Sequence, residues 1–393
     1  MSIYGLITVM EKKMEAYNGF EVGPIRPPSE AGSLLLRVTR NCPWNRCKFC
    51  GLYKGKTFSK RPVAHIKQDI AVLKTHIDDI RMEMSPGDMV PGKVMERMNG
   101  LKADEKMAFH AALNWYRGGM HSVFLQDANT LIVKPDDLVE MLTCLRETFP
   151  EIERVTSYAR SHTVARISDA DMARFAAAGV NRIHIGMESA ADEVLDFIKK
   201  GVDKATHIKA GQRVKRAGIE LSEYFMPGLG GVRFSEANAL ETADALNRIN
   251  PDFIRIRTLA VTDFSDLAKD VGSGDFTELN DEGAARELLL MLEHLDGIDS
   301  IVKSDHILNL FQEVDGVLPG DKEKITRPIK TFLSMSEDER MMFRIGRRIG
   351  IFSSLADMEN PALLARADDA RQEYGVTPEN IDEFTRAVIK RFI

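Results

Sequence analysis

Short apolar runs typical of β-strands alternate with amphipathic segments along most of this chain. Six such runs, each followed by a helix-like segment or a loop, begin near Leu34, Ser122, Val155, Arg182, Glu220 and Asp252. Alternating strand and helix patterns are typical of a parallel sheet with helices packed outside it. The chain has 393 residues, of which 44% are apolar, enough for two domains or one extended barrel. The sequence therefore predicts an α/β fold.

Three cysteines lie within nine residues directly after the first strand-like run. Cys42, Cys47 and Cys50 are spaced C-x4-C-x2-C, and the fourth cysteine, Cys144, lies in a helix-like segment. A four-iron cluster normally takes four cysteines, so three would leave one iron open to another ligand. A zinc site normally fills four tetrahedral positions, yet the nearest downstream histidine is His65. An iron–sulfur cluster is favoured, while zinc and a redox-sensing or chance group of cysteines stay open.

This segment resembles the signature of the radical S-adenosylmethionine (SAM) superfamily, in which an aromatic residue, here Phe49, precedes the last cysteine. The common spacing is C-x3-C-x2-C, and the first interval here is one residue longer. The resemblance implies a [4Fe-4S] cluster on Cys42, Cys47 and Cys50, with SAM on its open iron. An electron from the cluster would cleave SAM to a radical that abstracts hydrogen from an organic substrate. The protein would supply binding, orientation and exclusion of water and oxygen.

The resemblance also implies the partial (β/α)6 radical SAM barrel, and a doubly wound open sheet is the competing architecture. We expect a barrel over residues 33–300, after an N-terminal extension, 1–32, and before a mainly helical C-terminal region, 301–393. Residues 81–120 form a methionine-rich, helical insertion. Insertions of this length often act as lids, so a substrate lid and a packing appendage are both open.

Two-residue alternation predicts which strand side chains point into the barrel. The inward set is polar and comprises Tyr158, Arg160, His184, Glu188, Arg255 and Arg257. A structural barrel is filled by branched apolar side chains, so this set indicates a ligand cavity, with a Glu188–arginine ion pair as the structural alternative. Arg255 and Arg257 favour a carboxylated or phosphorylated substrate. The candidates by position for delivering a proton or hydrogen atom are Tyr158, His162, His184 and Tyr224.

Several segments at the carboxyl ends of the predicted strands, where barrel active sites lie, resemble SAM-binding segments of the superfamily. By that resemblance Phe49 packs near adenine, Glu188 accepts from the ribose hydroxyls, and Gly228 permits close backbone approach to adenine. Asp127 or Asn129 would hold the SAM ammonium group, with an ordinary Asx turn as the alternative.

Arg160 ends the third strand, where the resemblance implies a bidentate contact with the SAM carboxylate. The same side chain is placed equally well to bind the substrate. The turn after the second strand lacks the glycines that the superfamily often carries there. The candidate SAM-binding set is thus Phe49, Asp127, Asn129, Arg160, Glu188 and Gly228.

Composition favours a cytoplasmic enzyme, in which thiols stay reduced. No stretch approaches the ~20 apolar residues of a membrane span, and the first residues lack the basic and apolar parts of a signal peptide. The net charge of −6 argues against a general nucleic-acid binder. The basic run 54–61 suits a low-potential electron donor of the flavodoxin or ferredoxin type or an anionic substrate, with a solvated loop as the alternative.

The fourth and fifth strand segments resemble most the oxygen-independent coproporphyrinogen oxidase-like and Elp3-like groups. The fourth cysteine usual in the porphyrin enzymes is Leu52 here, and no cysteine follows Cys144, so no auxiliary cluster is expected. The sequence therefore predicts a radical SAM enzyme of unassigned substrate. Two other classes stay open: a zinc-stabilised interaction protein, and a cluster-bearing redox sensor or RNA-binding protein without SAM turnover.

Overall fold

The computed structural model describes residues 15–392. The strands in that range are β1 (Leu34–Arg37), β2 (Thr39–Arg40), β3 (Ser59–Lys60), β4 (Ser122–Gln126), β5 (Arg154–Ala159), β6 (Val180–Glu188), β7 (Glu220–Phe225), β8 (Phe253–Ile256), β9 (Ile301–Lys303) and β10 (Gly316–Val317). Eight of these form the main sheet, in the order β1-β4-β5-β6-β7-β8-β9-β10. The short pair β2 and β3 is antiparallel and flanks the cysteine segment.

The strand order identifies the architecture. In the main sheet, β1 and β4 to β9 pair in parallel with their neighbours, whereas β10 is antiparallel to β9. Neighbours in the sheet follow chain order, while a doubly wound sheet reverses its order at a switch point. The expected partial barrel is therefore confirmed, with β1 and β10 as its two edges. The predicted domain boundary after residue 300 needs correction, because β9 begins at Ile301 and continues the same sheet.

Helices occupy most of the connections between the strands. They are α1 (Val63–Arg81), α2 (Gly92–Gly100), α3 (Ala103–Arg117), α4 (Pro135–Thr148), α5 (Ser161–Val164), α6 (Asp169–Ala177), α7 (Asp192–Phe197), α8 (Lys204–Arg216), α9 (Gly231–Ile249), α10 (Asp266–Ser273), α11 (Asp281–Glu293), α12 (Lys322–Ser334), α13 (Glu337–Arg348), α14 (Pro361–Glu373) and α15 (Ile381–Ile389). Among the described residues, no helix combines the length and apolar character needed to cross a bilayer.

The main core lies between the sheet and the outer helices. Apolar residues of α1 recur every three or four positions, as an amphipathic helix requires, and the fully buried ones include Ile66, Ile70, Leu73 and Ile77. The isoleucines predicted to face outward from the strands, Ile183, Ile185, Ile254 and Ile256, belong to the same core. Each such side chain contributes about 1.5–3 kcal/mol to the stability of the fold when fully buried. Their place in this core confirms the prediction that these isoleucines face outward from the sheet.

The insertion between α1 and β4 is helical, but its position is not that of a lid. Arg97 of α2 forms an ion pair with Asp79, near the C-terminal end of α1. Trp115 Nε1 of α3 donates to the carbonyl oxygen of Ser122, the first residue of β4, at 2.8 Å. Both contacts lie at the amino edge of the sheet, because α1 runs back from the carboxyl edge. The insertion therefore packs at the edge opposite the expected active site, which corrects the lid interpretation.

The C-terminal helices hold a loop of the barrel, residues 304–311. Arg347 of α13 donates to the Asn309 carbonyl oxygen at 3.0 Å, and Arg348 donates to a second carbonyl of this loop at 2.7 Å. Asn309 in turn donates from Nδ2 to the Ile256 carbonyl oxygen at the end of β8, at 2.8 Å. Helix α13 thereby fixes the 304–311 loop against the carboxyl edge of the sheet.

Candidate active site

The three clustered cysteines lie on the cysteine loop, residues 41–53, between β2 and β3. Their thiols are half-buried and none is in a disulfide. The loop is fixed through Lys48: its N–H donates to the Ile198 carbonyl oxygen at 2.9 Å, and its own carbonyl accepts from Leu267 N–H at 2.9 Å. Lys48 Nζ also pairs with Asp270 of α10 at 2.9 Å. The segment after β6 and the start of α10 therefore support this loop.

The donor set of the cysteine loop fits a cluster better than a single ion. A mononuclear zinc site draws its sulfur ligands to about 2.3 Å from one ion, whereas each cysteine of a four-iron cluster binds its own iron. Burial raises the pKa of the Cys47 and Cys50 thiols, while the Lys200 ammonium acts to lower both. Three unpaired thiols next to a cation suit thiolate ligands.

Trp44 lies within the long first interval between the cysteines and contacts a distant segment. Its Nε1 donates to the Lys199 carbonyl oxygen at 2.7 Å, and its ring lies where a Cβ on Gly201 would have to be. Gly201 has a φ of +69°, a conformation that strongly favours glycine. The Arg160 guanidinium lies 5.0 Å from the centre of the indole, within cation–π range. The indole thus attaches the cysteine loop to the segment between α7 and α8.

Asp127 holds both ends of the cysteine loop. Its carboxylate is fully buried and accepts from Tyr53 Oη at 2.5 Å, Arg37 Nη2 at 2.9 Å and Asn41 N–H at 3.1 Å. Asn41 directly precedes Cys42, and Tyr53 follows the last cysteine. Because this carboxylate is fully buried and already accepts three hydrogen bonds from the protein, its expected SAM-binding role is corrected to a structural one.

Asn129 positions the candidate carboxylate-binding arginine. Its Oδ1 accepts from Arg160 N–H at 3.0 Å, and its Nδ2 donates to Thr163 Oγ1 at 2.8 Å. The expected contact between Asn129 and SAM is therefore corrected as well, because the amide is buried and bonded at both ends. Arg160 donates from Nη2 to the Lys200 carbonyl oxygen at 2.8 Å and lies close enough to Cys42 and Cys47 for their charges to act on it.

Glu188 ends β6 in a left-handed conformation, with a φ of +67°. Its Oε1 lies 3.5 Å from Lys200 Nζ, longer than a usual hydrogen bond. Lys200 Nζ also lies 5.5 Å from the centre of the Phe49 ring. The ion-pair alternative thus involves a lysine instead of an arginine. Lys200 joins the candidate ribose acceptor to the cysteine loop.

The turn after β7, residues 226–231, brings a third candidate to the same place. Gly228 has a φ of +88°, which glycine adopts without strain. Met226 N–H donates to the Glu188 carbonyl oxygen at 2.9 Å. Met226 and Leu229 form a small apolar cluster against which Phe49 packs. Of the predicted SAM-binding residues, Phe49, Glu188 and Gly228 are therefore brought together.

Two tyrosines meet inside the barrel. Tyr158 Oη donates to Tyr224 Oη at 3.1 Å, across the intervening strand β6. Burial raises the pKa of both hydroxyls, so both stay protonated at neutral pH. The proton of Tyr224 has no acceptor among the described side chains. Tyr158, which alternation predicted to point inward, and Tyr224, a candidate by position, therefore both lie inside the barrel.

Of the two candidate histidines, His184 packs against this pair, with its ring centre 5.3 Å from that of Tyr158 and 5.9 Å from that of Tyr224, whereas His162 lies on α5. His184 is fully buried, and its Nε2 lies 3.7 Å from Glu30, which comes from the 3-10 helix before β1. Glu30 also accepts from Ser33 Oγ at 2.6 Å, so this contact belongs to the amino edge of the barrel. His184 therefore sits below the tyrosines and away from the rim, which corrects its candidacy. His162 is half-buried on α5, beside Arg160. Burial lowers the pKa of His162, and the charges of Arg166 and Arg160 lower it further.

The two predicted substrate arginines have different surroundings. Arg255 is buried, pairs with Asp305 at 2.6 Å and donates to Ser222 Oγ at 3.2 Å. Its charge is compensated by the protein, which corrects its predicted availability. Arg257 is exposed and forms no ion pair with any residue in 15–392. Burial, followed by the charge of Arg257, lowers the pKa of His306 to about 4.

Comparison with known families decides the class of this protein. The family model described as the Radical SAM superfamily matches residues 36–243, more than half of the chain. The chain belongs to the radical SAM superfamily. Enzymes of this superfamily use a [4Fe-4S] cluster and SAM, so the chain is an enzyme that depends on these two cofactors.

Curated relatives of this radical SAM protein match over a short stretch. The tRNA uridine(34) acetyltransferase of Methanocaldococcus jannaschii is 26% identical over 111 residues, which cover 27% of this chain and 20% of that protein. The enzyme of the same name from Methanocaldococcus infernus is 27% identical over 107 residues, with the same two shares. The chain thus spans about a fifth of the length of these curated relatives.

Solved structures of radical SAM proteins are similar at low identity. The Methanocaldococcus infernus Elp3 with an N-terminal deletion has a TM-score of 0.41 and 16% identity, over 51% of this chain and 53% of that chain. Coproporphyrinogen III oxidase (HemN) from Escherichia coli has a TM-score of 0.38 and 15% identity, over 62% of this chain and 51% of that chain.

Several residues at the radical SAM site were not predicted from the sequence. Lys200 and Trp44 contact the cysteine loop or its neighbours, Glu287 bonds the turn after β7, and His306 lies near Arg257. Their roles come from contacts between distant segments, which local patterns do not report. Trp44 alone had a possible signal, because it lies within the lengthened cysteine spacing.

Proposed function

We propose that this radical SAM enzyme cleaves SAM reductively and abstracts a hydrogen atom from an organic anion held in the barrel. The observation that carries the proposal is the position of three unpaired thiols on a loop bonded at both ends by Asp127, beside Phe49, Glu188 and the turn after β7. When bound, the [4Fe-4S] cluster supplies the electron that cleaves SAM to methionine and a 5′-deoxyadenosyl radical. The chain supplies the ligands, the orientation and the enclosure.

The roles of the residues around the cofactors follow from their charges and positions. Cys42, Cys47 and Cys50 would hold the cluster, and the cations of Lys200 and Arg160 would offset the charge of the thiolates. Arg160 is suited to the SAM carboxylate, Glu188 to the ribose hydroxyls and Phe49 to the adenine. A guanidinium binds a carboxylate in a planar, two-point geometry, and a carboxylate accepts from paired hydroxyls.

The substrate would lie beyond the tyrosine pair. Arg257 is the arginine that suits a carboxylated or phosphorylated substrate, because it is exposed and has no ion pair among the described residues. Tyr224 holds a hydroxyl proton that Tyr158 does not accept, since Tyr158 is the donor in their hydrogen bond. Tyr224 is therefore suited to deliver a proton or hydrogen atom to a group bound by Arg257.

A low-potential electron donor would approach the cysteine loop from outside. Arg46 and Lys56 of this region and Lys199 beside it are exposed, whereas Lys48 and Lys54 are paired with aspartates of α10. Acidic donors of the flavodoxin or ferredoxin type complement such a basic surface, and electrostatic complementarity mainly raises the association rate. We propose this surface for the donor.

The proposal is tested by anaerobic reconstitution with iron and sulfide, followed by dithionite and SAM. The expected result is a brown protein with a reduced-cluster electron paramagnetic resonance signal and formation of 5′-deoxyadenosine. Cys47→Ala should abolish both, while Cys144→Ala, outside the cysteine loop, should leave both unchanged. A colourless zinc protein would contradict the proposal. A brown protein that forms no 5′-deoxyadenosine would support a redox sensor instead.

A further inference from the structure

A buried carboxylate outside the cysteine loop supports the turn after β7. Glu287 of α11 is 2% exposed. Its Oε1 accepts from Gly228 N–H at 2.8 Å and from Asn238 Nδ2 at 2.7 Å, and its Oε2 accepts from Ser235 Oγ at 2.6 Å. All of these donors belong to the turn or to the first turns of α9. One side chain of α11 therefore fixes both the turn and the helix that follows it.

The carboxylate of Glu287 is unusual because nothing neutralises it. No ion pair involves Glu287 within the described part of the chain, and burial raises its pKa to about 7 although its three donors act to lower it. A buried charge without a cation costs free energy relative to an apolar residue of similar volume. Stability alone therefore does not explain a polar side chain at this position, whereas a requirement for an acceptor at Gly228 N–H does.

The turn that Glu287 supports contacts two candidate SAM residues. Met226 N–H donates to the Glu188 carbonyl oxygen at 2.9 Å, which connects the turn to the end of β6. Leu229 and Met226 pack on the apolar cluster that Phe49 also contacts. Asn238 Nδ2 adds a bond to the Met226 carbonyl oxygen at 3.2 Å, so Glu287 is coupled to both ends of the turn.

We propose that Glu287 is a positioning residue for SAM: by accepting from Gly228, Ser235 and Asn238, it sets the turn after β7 against Phe49 and Glu188. This inference rests on the proposed function, because it requires that SAM binds between these residues. Glu287 acts through the turn and does not itself touch SAM. Acceptance of hydrogen bonds is the property that matters, so an amide oxygen at position 287 serves as well as a carboxylate.

The test compares two substitutions in cluster-loaded, full-length protein. Glu287→Ala removes the acceptors and should raise the SAM dissociation constant, measured by anaerobic equilibrium dialysis, about tenfold or more. Glu287→Gln retains an acceptor for Gly228 and Asn238 and a donor for Ser235 Oγ, and should stay within about threefold of wild type. Hydrogen bonds to charged groups typically contribute enough for changes of this size. Glu293→Ala, on the exposed end of α11, is the matched control and should be unchanged.

Kinetics separate positioning from a general structural defect. In 5′-deoxyadenosine formation with dithionite, Glu287→Ala should raise KM for SAM about tenfold and change kcat at saturating SAM less than threefold. If Glu287→Ala does not fold, Ser235→Ala replaces it, with an expected threefold rise in the dissociation constant. Wild-type affinity in the folded variant overturns the inference. Absence of SAM binding by the wild-type protein instead overturns the proposed function.

Discussion

The carboxyl edge of the barrel has two halves, which differ in how many of their polar side chains already have hydrogen-bond or ion-pair partners within the protein. In the cluster half, at the ends of β1, β4 and β5, Asp127 and Asn129 are buried and bonded at every available atom. In the ligand half, at the ends of β6 to β9, Glu188 has one long contact with Lys200, and Arg257 is exposed without an ion pair among residues 15–392.

This difference indicates that the two halves have different roles. Polar groups that are fully bonded hold backbone in place, because losing any partner leaves a buried group unsatisfied. Groups that retain free donors or acceptors are the ones that a small molecule can bind. The cluster half therefore acts as a scaffold for the cysteine loop, while the ligand half holds Glu188 and Arg257, which we propose for the ribose of SAM and for the substrate. Four substitutions test the comparison, one in the cluster half and three in the ligand half.

The largest effect is expected for Asp127→Ala. It leaves the Arg37 guanidinium without its buried partner and frees both ends of the cysteine loop, so we expect a loss of about 3–5 kcal/mol in the free energy of unfolding and loss of bound iron. Chemical denaturation and iron and sulfide content measure these effects. Asp136→Ala, an exposed residue of α4, is the control. Full cluster content in Asp127→Ala would break the contrast between the halves.

A smaller, pH-dependent effect is expected for Glu287→Gln. The folded-state pKa of about 7 lies above the ordinary value of 4.5, so folding favours the protonated acid. Stability from Glu287 is full below pH 4.5 and is lost as the pH rises through 7. Because glutamine does not titrate, the variant should gain about 3 kcal/mol relative to wild type between pH 4.5 and about pH 8. Parallel stability curves, measured by urea denaturation across this range, would reject the prediction.

The smallest effects distinguish two arginines at the end of one strand. Arg255→Ala leaves Asp305 without its partner and should cost about 2 kcal/mol, below the usual range for a buried pair because Asp305 is partly exposed. Arg257→Ala should change the free energy of unfolding by less than about 0.5 kcal/mol, as surface substitutions do. Urea midpoints of the two variants provide the measurement. Equal losses would mean that Arg257 is bonded as fully as Arg255.

Local sequence patterns predicted the fold more completely than they predicted the functional site. The six longer strands were predicted because each buries one face against helices, which imposes a two-residue period. Strands β9 and β10, three and two residues long, are too short to show that period. The two strands after β8 therefore could not be predicted from the sequence, because they are defined by contacts that form only in the folded chain.

Two of the candidate SAM-binding residues lie at strand ends, because Glu188 is the last residue of β6 and Gly228 closely follows β7, and their contacts with SAM stay predictions. Asp127 was misassigned because its partner Arg37 lies 90 residues away, and no local pattern counts the bonds a carboxylate already has. Glu287 was missed for the same reason, since Gly228 lies 59 residues before it. Whether a polar group is free or bonded is a property of the tertiary structure.

Because α13 is attached to the 304–311 loop, substrate specificity and cluster binding can change independently of each other during evolution. Arg347 and Arg348 reach the wall beside Arg257 without touching the cysteine loop. Substitutions that shift α13 can thus change the shape of the 304–311 loop, and with it which substrates the barrel admits. The cysteine loop stays unchanged. New specificities in this architecture are expected to arise from the C-terminal helices.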